Sequence, residues 1–439
     1  MRTMKDSGIE WIGAIPDNWT VGKTLYGLRM PITDGPHETP VLFEEGIPFV
    51  SAEAISSSNG HIDFEHIRGF VSEDYYKECC KKYIPKLHDI YMIKSGATTG
   101  RVALVETDRV FTIWSPLAVF RCDESKCHYR FLFYFLQSDA YQKQVENMWS
   151  FGTQQNIGMR TLEKNAICFP SLNEQQKIAD YLDEKNHEID ELIAKKEKTN
   201  ELLKERRQSI IYEAVTKGLN PDASMKDSGI EWIGQIPEKW TVWRMKHLAD
   251  EPLQYGANAT GVEFDEMLPR YVRITDITSD RKLADDGKQS LPIETAKDYM
   301  LQDGDILLAR SGATAGKSYY YETSDGACCF AGYLIRFRAN KAKANSKFLY
   351  YYTLTQPYEQ WTQQIFIQAT IQNISAEKYN NLCFAIPDTL EEQKRIVEYL
   401  DEKCAEIDSI ITINNKAIQQ LKEYRQSLIY EAVTGKKEV

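Results

Sequence analysis

No run of apolar residues approaches the roughly 18 needed to cross a bilayer; the best, around Phe131 to Leu136, is far too short. The opening MRTMKDSGIEW lacks a signal-peptide apolar core, so the chain is expected in the cytoplasm and away from membranes. Cysteine is sparse and odd in number: nine residues, including the neighbours Cys79–Cys80 and Cys328–Cys329, with no disulfide framework and no CxxC pair. Free thiols in a reducing compartment follow. Seven scattered histidines make no metal cage, so no metal is expected. Positive charge is also short, with 53 basic against 64 acidic residues and a net charge of −11. That balance excludes indiscriminate coating of nucleic acid, although a local positive face remains compatible with it.

Enzymatic constellations are missing as well. No FxGxG or NPPY-like pair offers a site for S-adenosylmethionine and a target adenine, and no cluster of two carboxylates and a lysine marks a nuclease. GATAGKS at 312–318 is not a phosphate-binding P-loop. That motif needs four residues between its glycines, whereas Gly312 and Gly316 enclose three. Asp303 and Asp305 flank Gly304 and read as solvated turn acids. No catalytic residue is assigned.

What is present is repetition. The 439 residues, 42% hydrophobic and 27% charged, suffice for two domains with real cores. MKDSGIEWIGAIPD at 4–17 returns as MKDSGIEWIGQIPE at 225–238, and SGATTGR at 95–101 as SGATAGK at 311–317. QNI at 155–157 returns at 372–374, and IADYLDEKNHEID at 178–190 returns as IVEYLDEKCAEID at 396–408. LKERRQSIIYEAVT at 203–216 closes the series as LKEYRQSLIYEAVT at 421–434. Blocks in the same order at nearly constant offset mean a duplicated half-chain. Between the blocks, for example 121–153 against 336–369, the halves have diverged. Two related modules that read two different targets would diverge in this way.

Within each half, β-branched and aromatic runs punctuated by Gly and Pro predict a mixed α/β (α+β) domain with a substantial sheet. Expected strands are Pro48–Val50, Asp89–Lys94, Val102–Glu106 and Leu117–Arg121, then Tyr271–Thr275, Asp305–Ala309, Ser318–Tyr321 and Gly332–Phe337. Tyr129–Gln137 and Phe348–Leu354 are expected helices. Beyond Pro170 and Pro387 the composition turns to Glu, Lys, Leu and Ile without Gly or Pro, over about 173–216 and 391–434. Heptad spacing marks a seam through Leu182, Ile189, Ile193 and Leu203 in the first stretch, and Leu400, Ile407, Ile411 and Leu421 in the second. Asn186, Lys196, Asn200 and Asn414 interrupt it with polar groups. The simplest partner for each helix is the other, antiparallel, which gives the chain an approximate internal two-fold symmetry. Expected boundaries are 1–171 for the first domain, 172–218 for its helix, 219–388 for the linker and second domain, and 389–439 for the second helix and tail.

These residues resemble the DNA-specificity (S) subunit of type I restriction-modification systems across essentially 4–435. The resemblance rests on GIEWIGAIPDNW and GIEWIGQIPEKW, on TDGPHETP followed by GIPFV, and on KSGATTGR and RSGATAGK. TQQNI and IQNI, and the FP or IP before EQ-x-x-I-x-x-YLDEK, complete it. TDGPHETP lacks a good copy; the matching place reads LQYGANATGVEFDE at 253–266. The resemblance implies two target-recognition domains that each read one half of a bipartite site in double-stranded DNA. It also implies helices that set the spacer and dock two modification (methyltransferase) subunits, with restriction (endonuclease/translocase) subunits as a further addition. The chain itself would bind no cofactor; its partners would use S-adenosylmethionine, and ATP with Mg for restriction.

Candidate DNA contacts follow. His37 lies on the turn Asp34-Gly35-Pro36-His37. Lys94 and Arg310 open the two Gly-rich turns, which either bring Thr98, Thr99 and Arg101, and in the copy Thr314 and Lys317, near phosphate or serve as purely structural turns. Gln154, Gln155 and Asn156, with Gln368, Gln372 and Asn373, carry amides of the kind that pair with adenine edges. Residues common to both halves should position DNA backbone, and unshared neighbours such as Trp149, Ser150, Phe151, Ile365 and Phe366 should specify sequence. Two rival readings are an autonomous methyltransferase, which lacks its motifs, and a protein-binding coiled-coil scaffold, which leaves the domain divergence unexplained.

Overall fold

The computed structural model describes residues 2–148, 156–312, 314–367 and 372–439. It comprises two compact units: Met1–Lys196 with Asn415–Val439, and Glu197–Asn414. Each unit therefore takes one mixed domain and part of both long helices. Among the described residues no helix is long and apolar enough to cross a membrane.

The two domains share the order of their four-stranded sheet. In the first unit a four-stranded antiparallel sheet runs in the order Thr33–Asp34, Leu117–Phe120, Ile90–Ile93, Val102–Leu104. In the second, the order Gln254–Tyr255, Leu334–Phe337, Ile306–Ala309, Ser318–Tyr320 repeats it. The central strand is buried on both faces, which explains its unbroken apolar reading. Ile90 and Met92 face the core that includes the long helices, and Tyr91 and Ile93 face a second core with Val50 and Phe111. Ile306 and Leu308, against Leu307 and Ala309, divide in the same manner. Beside this sheet, Ile47–Val50 pairs in parallel with Thr112–Ile113, and Arg270–Val272 with Cys328–Phe330.

Most of the expected strands and both short helices are present within a residue or two. The strand expected over Tyr271–Thr275 stops at Val272 and gives way to a 3-10 turn over Ile274–Asp276. The buried Asp276 carboxylate accepts the Arg273 N–H at 2.8 Å and pairs with its guanidinium, which turns the chain out of the ladder. Short edge strands escaped the sequence reading, among them Thr33–Asp34 and Gln254–Tyr255.

The long helices span Leu172–Lys217 and Leu390–Val433. Each begins just after the proline, where the Ser171 or Thr389 hydroxyl accepts the N–H of Glu174 or Glu392 at 3.3 Å. Each ends at a glycine with left-handed backbone, Gly218 or Gly435. The seam residues are buried or half-buried: Leu182, Ile189, Ile193 and Leu421 in the first unit, Leu203, Leu400, Ile407 and Ile411 in the second. Arg425 pairs with Asp190 in the first unit. In the second, Arg207 pairs with Asp408 at 3.5 Å and Asn414 Nδ2 donates to Asn200 Oδ1 at 2.9 Å. In the second unit one partner's number rises as the other's falls, so the two helices run antiparallel there. Arg207 and Arg425, and likewise Asp190 and Asp408, are equivalent residues of the repeated blocks; the duplication repeats the contact.

The opening blocks and the start of each long helix also meet at the junction of domain and helix. Gln175 is buried, accepts the His128 N–H at 2.7 Å and donates to the Pro170 carbonyl at 3.0 Å. Gln393 does the same with Asn345 and Pro387, at 2.7 and 3.1 Å. Asp183 accepts the Tyr134 hydroxyl and Asp401 that of Tyr351, each at 2.6 Å. Ile12, Ile15 and Trp19 of the opening block are buried, as are Ile233, Ile236 and Trp240. Repetition thus marks the scaffold here, and the Gly-rich turns and QNI segments at the sheet.

Candidate nucleic-acid interface

At one end of the strands of each four-stranded sheet, three loops converge on a shared backbone frame. In the first unit, the Lys94 N–H donates to the Pro116 carbonyl at 2.7 Å, and the Lys94 carbonyl accepts from Ile157 at 2.9 Å. Ser95 bridges to Asn156, and Ser115 N–H donates to the Pro36 carbonyl at 3.1 Å. In the second, Arg310 N–H meets the Tyr333 carbonyl at 3.0 Å, and the Arg310 carbonyl accepts from Ile374 at 2.7 Å. Ser311 bridges to Asn373, and Gly332 N–H meets the Ala257 carbonyl at 2.8 Å. The frame therefore brings Lys94 to Asn156, and Arg310 to Asn373. A glycine is required where the edge strand leaves it: a Cβ on Gly35 would lie 2.1 Å from the Ile113 carbonyl oxygen, and one on Gly256 2.4 Å from that of Ala331.

The side chains on this frame differ. In the first unit Asp34 is buried, and its carboxylate is shared by Lys82, Lys94 at 3.3 Å and, when protonated, His37 at 3.2 Å. His37 is otherwise exposed. Lys82 also donates to the Gly35 carbonyl at 2.9 Å. The Trp114 indole N–H donates to the Glu38 carbonyl at 3.2 Å, and the Arg68 guanidinium lies 4.2 Å over the Trp114 ring. In the second unit Tyr255 takes the place of Asp34, as the ladder shows: Asp34 opposes Ala118 and Tyr255 opposes Ile335. Its ring carries the Arg310 guanidinium at 4.8 Å, and its hydroxyl accepts the Ala376 N–H at 2.9 Å. Tyr333 is exposed on the adjoining turn.

The Gly-rich turns are alike in backbone. Gly96, Gly100, Gly312 and Gly316 all have positive φ, and Gly100 and Gly316 donate back to the Ile93 and Ala309 carbonyls at 2.8 and 2.9 Å. A Cβ on Gly96 or Gly312 would meet nothing within 4 Å, so both tips are open. Thr99 closes the first turn by donating from its hydroxyl to the Gly96 carbonyl at 2.7 Å; Thr98 is half-buried there. Arg101 is exposed but donates to the Ser56 carbonyl at 2.5 Å. Lys317 donates to the Ile277 carbonyl at 3.2 Å, and burial, together with the nearby Arg281 charge, pulls its ammonium below the usual lysine range. Both cations are thus already held against backbone. A polar cavity of about 490 Å³ adjoins the first turn, lined in part by Asn59, Thr99, Arg101, Gln137 and Gln142. Gln372 is exposed beside Asn373. Gln154, Gln155 and Gln368 lie outside the described residues, as do Trp149, Ser150 and Phe151.

Sequence reasoning gave no role to Asp34, Arg68, Lys82, Trp114, Tyr255 and Tyr333. One available signal was that Gly35 and Gly256 keep the same 221-residue offset as the opening blocks. Among the described residues, no group of three His, Cys, Asp or Glu side chains is placed to hold a metal ion.

Comparison with known proteins agrees with this duplicated architecture. The family model described as "Type I restriction modification DNA specificity domain" matches residues 37–204 and 270–423. The chain is 24% identical over 384 residues to the type I restriction enzyme MjaVIII specificity subunit of Methanocaldococcus jannaschii, covering 86% of this chain and 85% of that protein. In fold it is similar to a chain from a study of complex assembly and conformational transition of the type I R-M system. That likeness has a TM-score of 0.69 at 17% identity and covers 95% and 98% of the two chains. It is also similar to the HsdS subunit of Thermoanaerobacter tengcongensis, with a TM-score of 0.50 at 18% identity over 96% and 98%. The chain belongs to the type I restriction-modification DNA specificity family.

Proposed function

We propose that this specificity-family chain is the non-catalytic DNA-reading subunit of a type I restriction-modification complex. Each unit reads one half of a bipartite, asymmetric site. The paired helices set the gap between the halves and dock two modification subunits, to which restriction subunits add. The observation that carries this reading is the common frame with different side chains: Asp34 and Lys94 in one unit, Tyr255 and Arg310 in the other. A scaffold that bound only protein would have no need for one frame to present two chemistries. The net charge of −11 is compatible with DNA binding if cations are concentrated locally, as Arg68, Lys82, Lys94 and His37 are around Asp34 and Trp114.

The open glycine turns suit close approach of a DNA phosphate, whereas the diverged positions suit base edges. No cofactor is assigned to this chain. S-adenosylmethionine belongs to the methyltransferase partners, and ATP with Mg to restriction.

Reconstitution tests the assignment. The purified chain with S-adenosylmethionine and mixed-sequence duplex should transfer no methyl groups, and the modification subunits alone should methylate no defined motif. Together they should methylate a bipartite, non-palindromic motif. Methylation by the chain alone, or a single palindromic motif, would overturn it.

A further inference from the structure

We infer that Arg310 is a base-reading residue of the second unit and that the base it reads is guanine; the inference rests on the DNA-reading function proposed above. Arg310 and Lys94 occupy the same point of the frame but differ in electrostatic state. Lys94 is mostly buried and spends its charge on Asp34. Arg310 makes no ion pair among the described residues, and its guanidinium is laid over the Tyr255 ring at 4.8 Å. Tyr255 is itself fixed by the Ala376 N–H.

A second observation shows that no described residue competes for the Arg310 guanidinium. Arg310 Nε, Thr314 Oγ1 and Asn373 Oδ1 are buried without a hydrogen-bond partner in the structure. All three belong to adjoining segments, because Ser311 bridges to Asn373 and Thr314 follows in the same turn. No described group therefore draws the Arg310 guanidinium away from the Tyr255 ring, and its outer N–H groups keep their donors for a ligand.

The chemistry then narrows. A guanidinium held by an aromatic ring presents donors in a rigid plane, and the bidentate match for that fork in the major groove is guanine O6 and N7. A phosphate would also accept from an arginine, but phosphate contacts are expected at positions the two units share. Arg310 stands where they differ. Lys94, drawn to Asp34 and without a planar guanidinium, cannot offer the same fork, so the first unit should read its half-site by other contacts.

The test uses the full chain assembled with its methyltransferase subunits. Binding is measured on duplexes carrying the motif found by methylome sequencing, with each base pair substituted in turn and at several salt concentrations. Arg310→Lys keeps the charge and size and should fold; its unfolding midpoint serves as the check. The expected result is a roughly ten- to hundredfold loss of preference for G·C at one position of one half-site. The other half-site and the salt slope should be unchanged. Arg310→Ala should show the same loss. Uniform weakening on all duplexes with the salt slope of Arg310→Ala reduced by about one would make Arg310 a phosphate contact and overturn the inference, leaving the DNA-reading function standing. An unchanged preference in both variants would overturn it equally. If the parent complex itself shows no sequence-selective binding, the function beneath falls, and the inference with it.

Discussion

At matched positions of one backbone frame, the first unit buries an acid among cations and the second lays a cation on a tyrosine. Asp34 holds Lys82 and Lys94; Tyr255 supports Arg310. Elsewhere the units agree down to single contacts, such as the Asp89–Arg121 pair, whose copy is Asp305–Arg338 at 2.7 Å; Asp305 is thus buried and paired, not the solvated turn acid its sequence suggests. A buried pair of that kind ties strand to strand and has no freedom to change without loss of stability. The sheet edge is bound by no such constraint beyond its glycine. Divergence is therefore confined to where it leaves the frame intact, which is how a duplicated scaffold can acquire two readers.

The largest test asks whether the shared parts are truly equivalent. Ile189→Glu with Ile193→Glu, and Ile407→Glu with Ile411→Glu, each drive charges into the same seam. Each double variant should lose upwards of about 4 kcal/mol and co-purify poorly with modification subunits. Denaturant unfolding and pull-down would show this. Near-parental stability in either one would mean that the seam is not repeated.

The next test asks whether the diverged positions are unequal. Asp34→Ala takes the buried carboxylate from Lys94, while the half-exposed Lys82 stays solvated, and should cost about 2–3 kcal/mol. Tyr255→Phe loses only an acceptor for the Ala376 N–H and should cost about 1 kcal/mol. Equal losses in chemical unfolding would contradict the different roles given to the two positions.

The smallest effect concerns pH. His128 sits where the second unit has Asn345; burial, and then the Arg130 charge, lower its proton affinity below the usual histidine range. As pH falls through about 6.5, the unfolded chain takes up a proton before the folded one does, so stability is lost on the acid side and regained above it. Gln175 binds the backbone N–H of His128, so His128→Asn keeps that contact. The variant should gain on its parent in unfolding midpoint between about pH 7.5 and pH 5; a constant difference would refute the sign.

How much of this was legible in the sequence follows from the same contrast. Seam positions such as Leu182 and Ile407 declare themselves by period, and the repeated blocks by identity, because core packing constrains both. The Gly-rich turns were also legible, since their glycines take positive φ. The roles of Arg101 and Lys317 were not, because only tertiary structure brings the Ser56 and Ile277 carbonyls to them. Nor did sequence pair Lys82 with Asp34, 48 residues away. Tyr255 was hidden for another reason. It shares no chemistry with Asp34, and short two-residue edge strands carry no usable period.

The central claim is that the two units read independently, and transplanting one of them tests it most directly. Residues 226–387 would be replaced by the corresponding segment of a family member with a different second domain, in cells supplying the modification subunits. Methylome sequencing should then show one half of the methylated motif changed, with the other half and the gap preserved. A motif altered in both halves, or unaltered in either, would contradict the account.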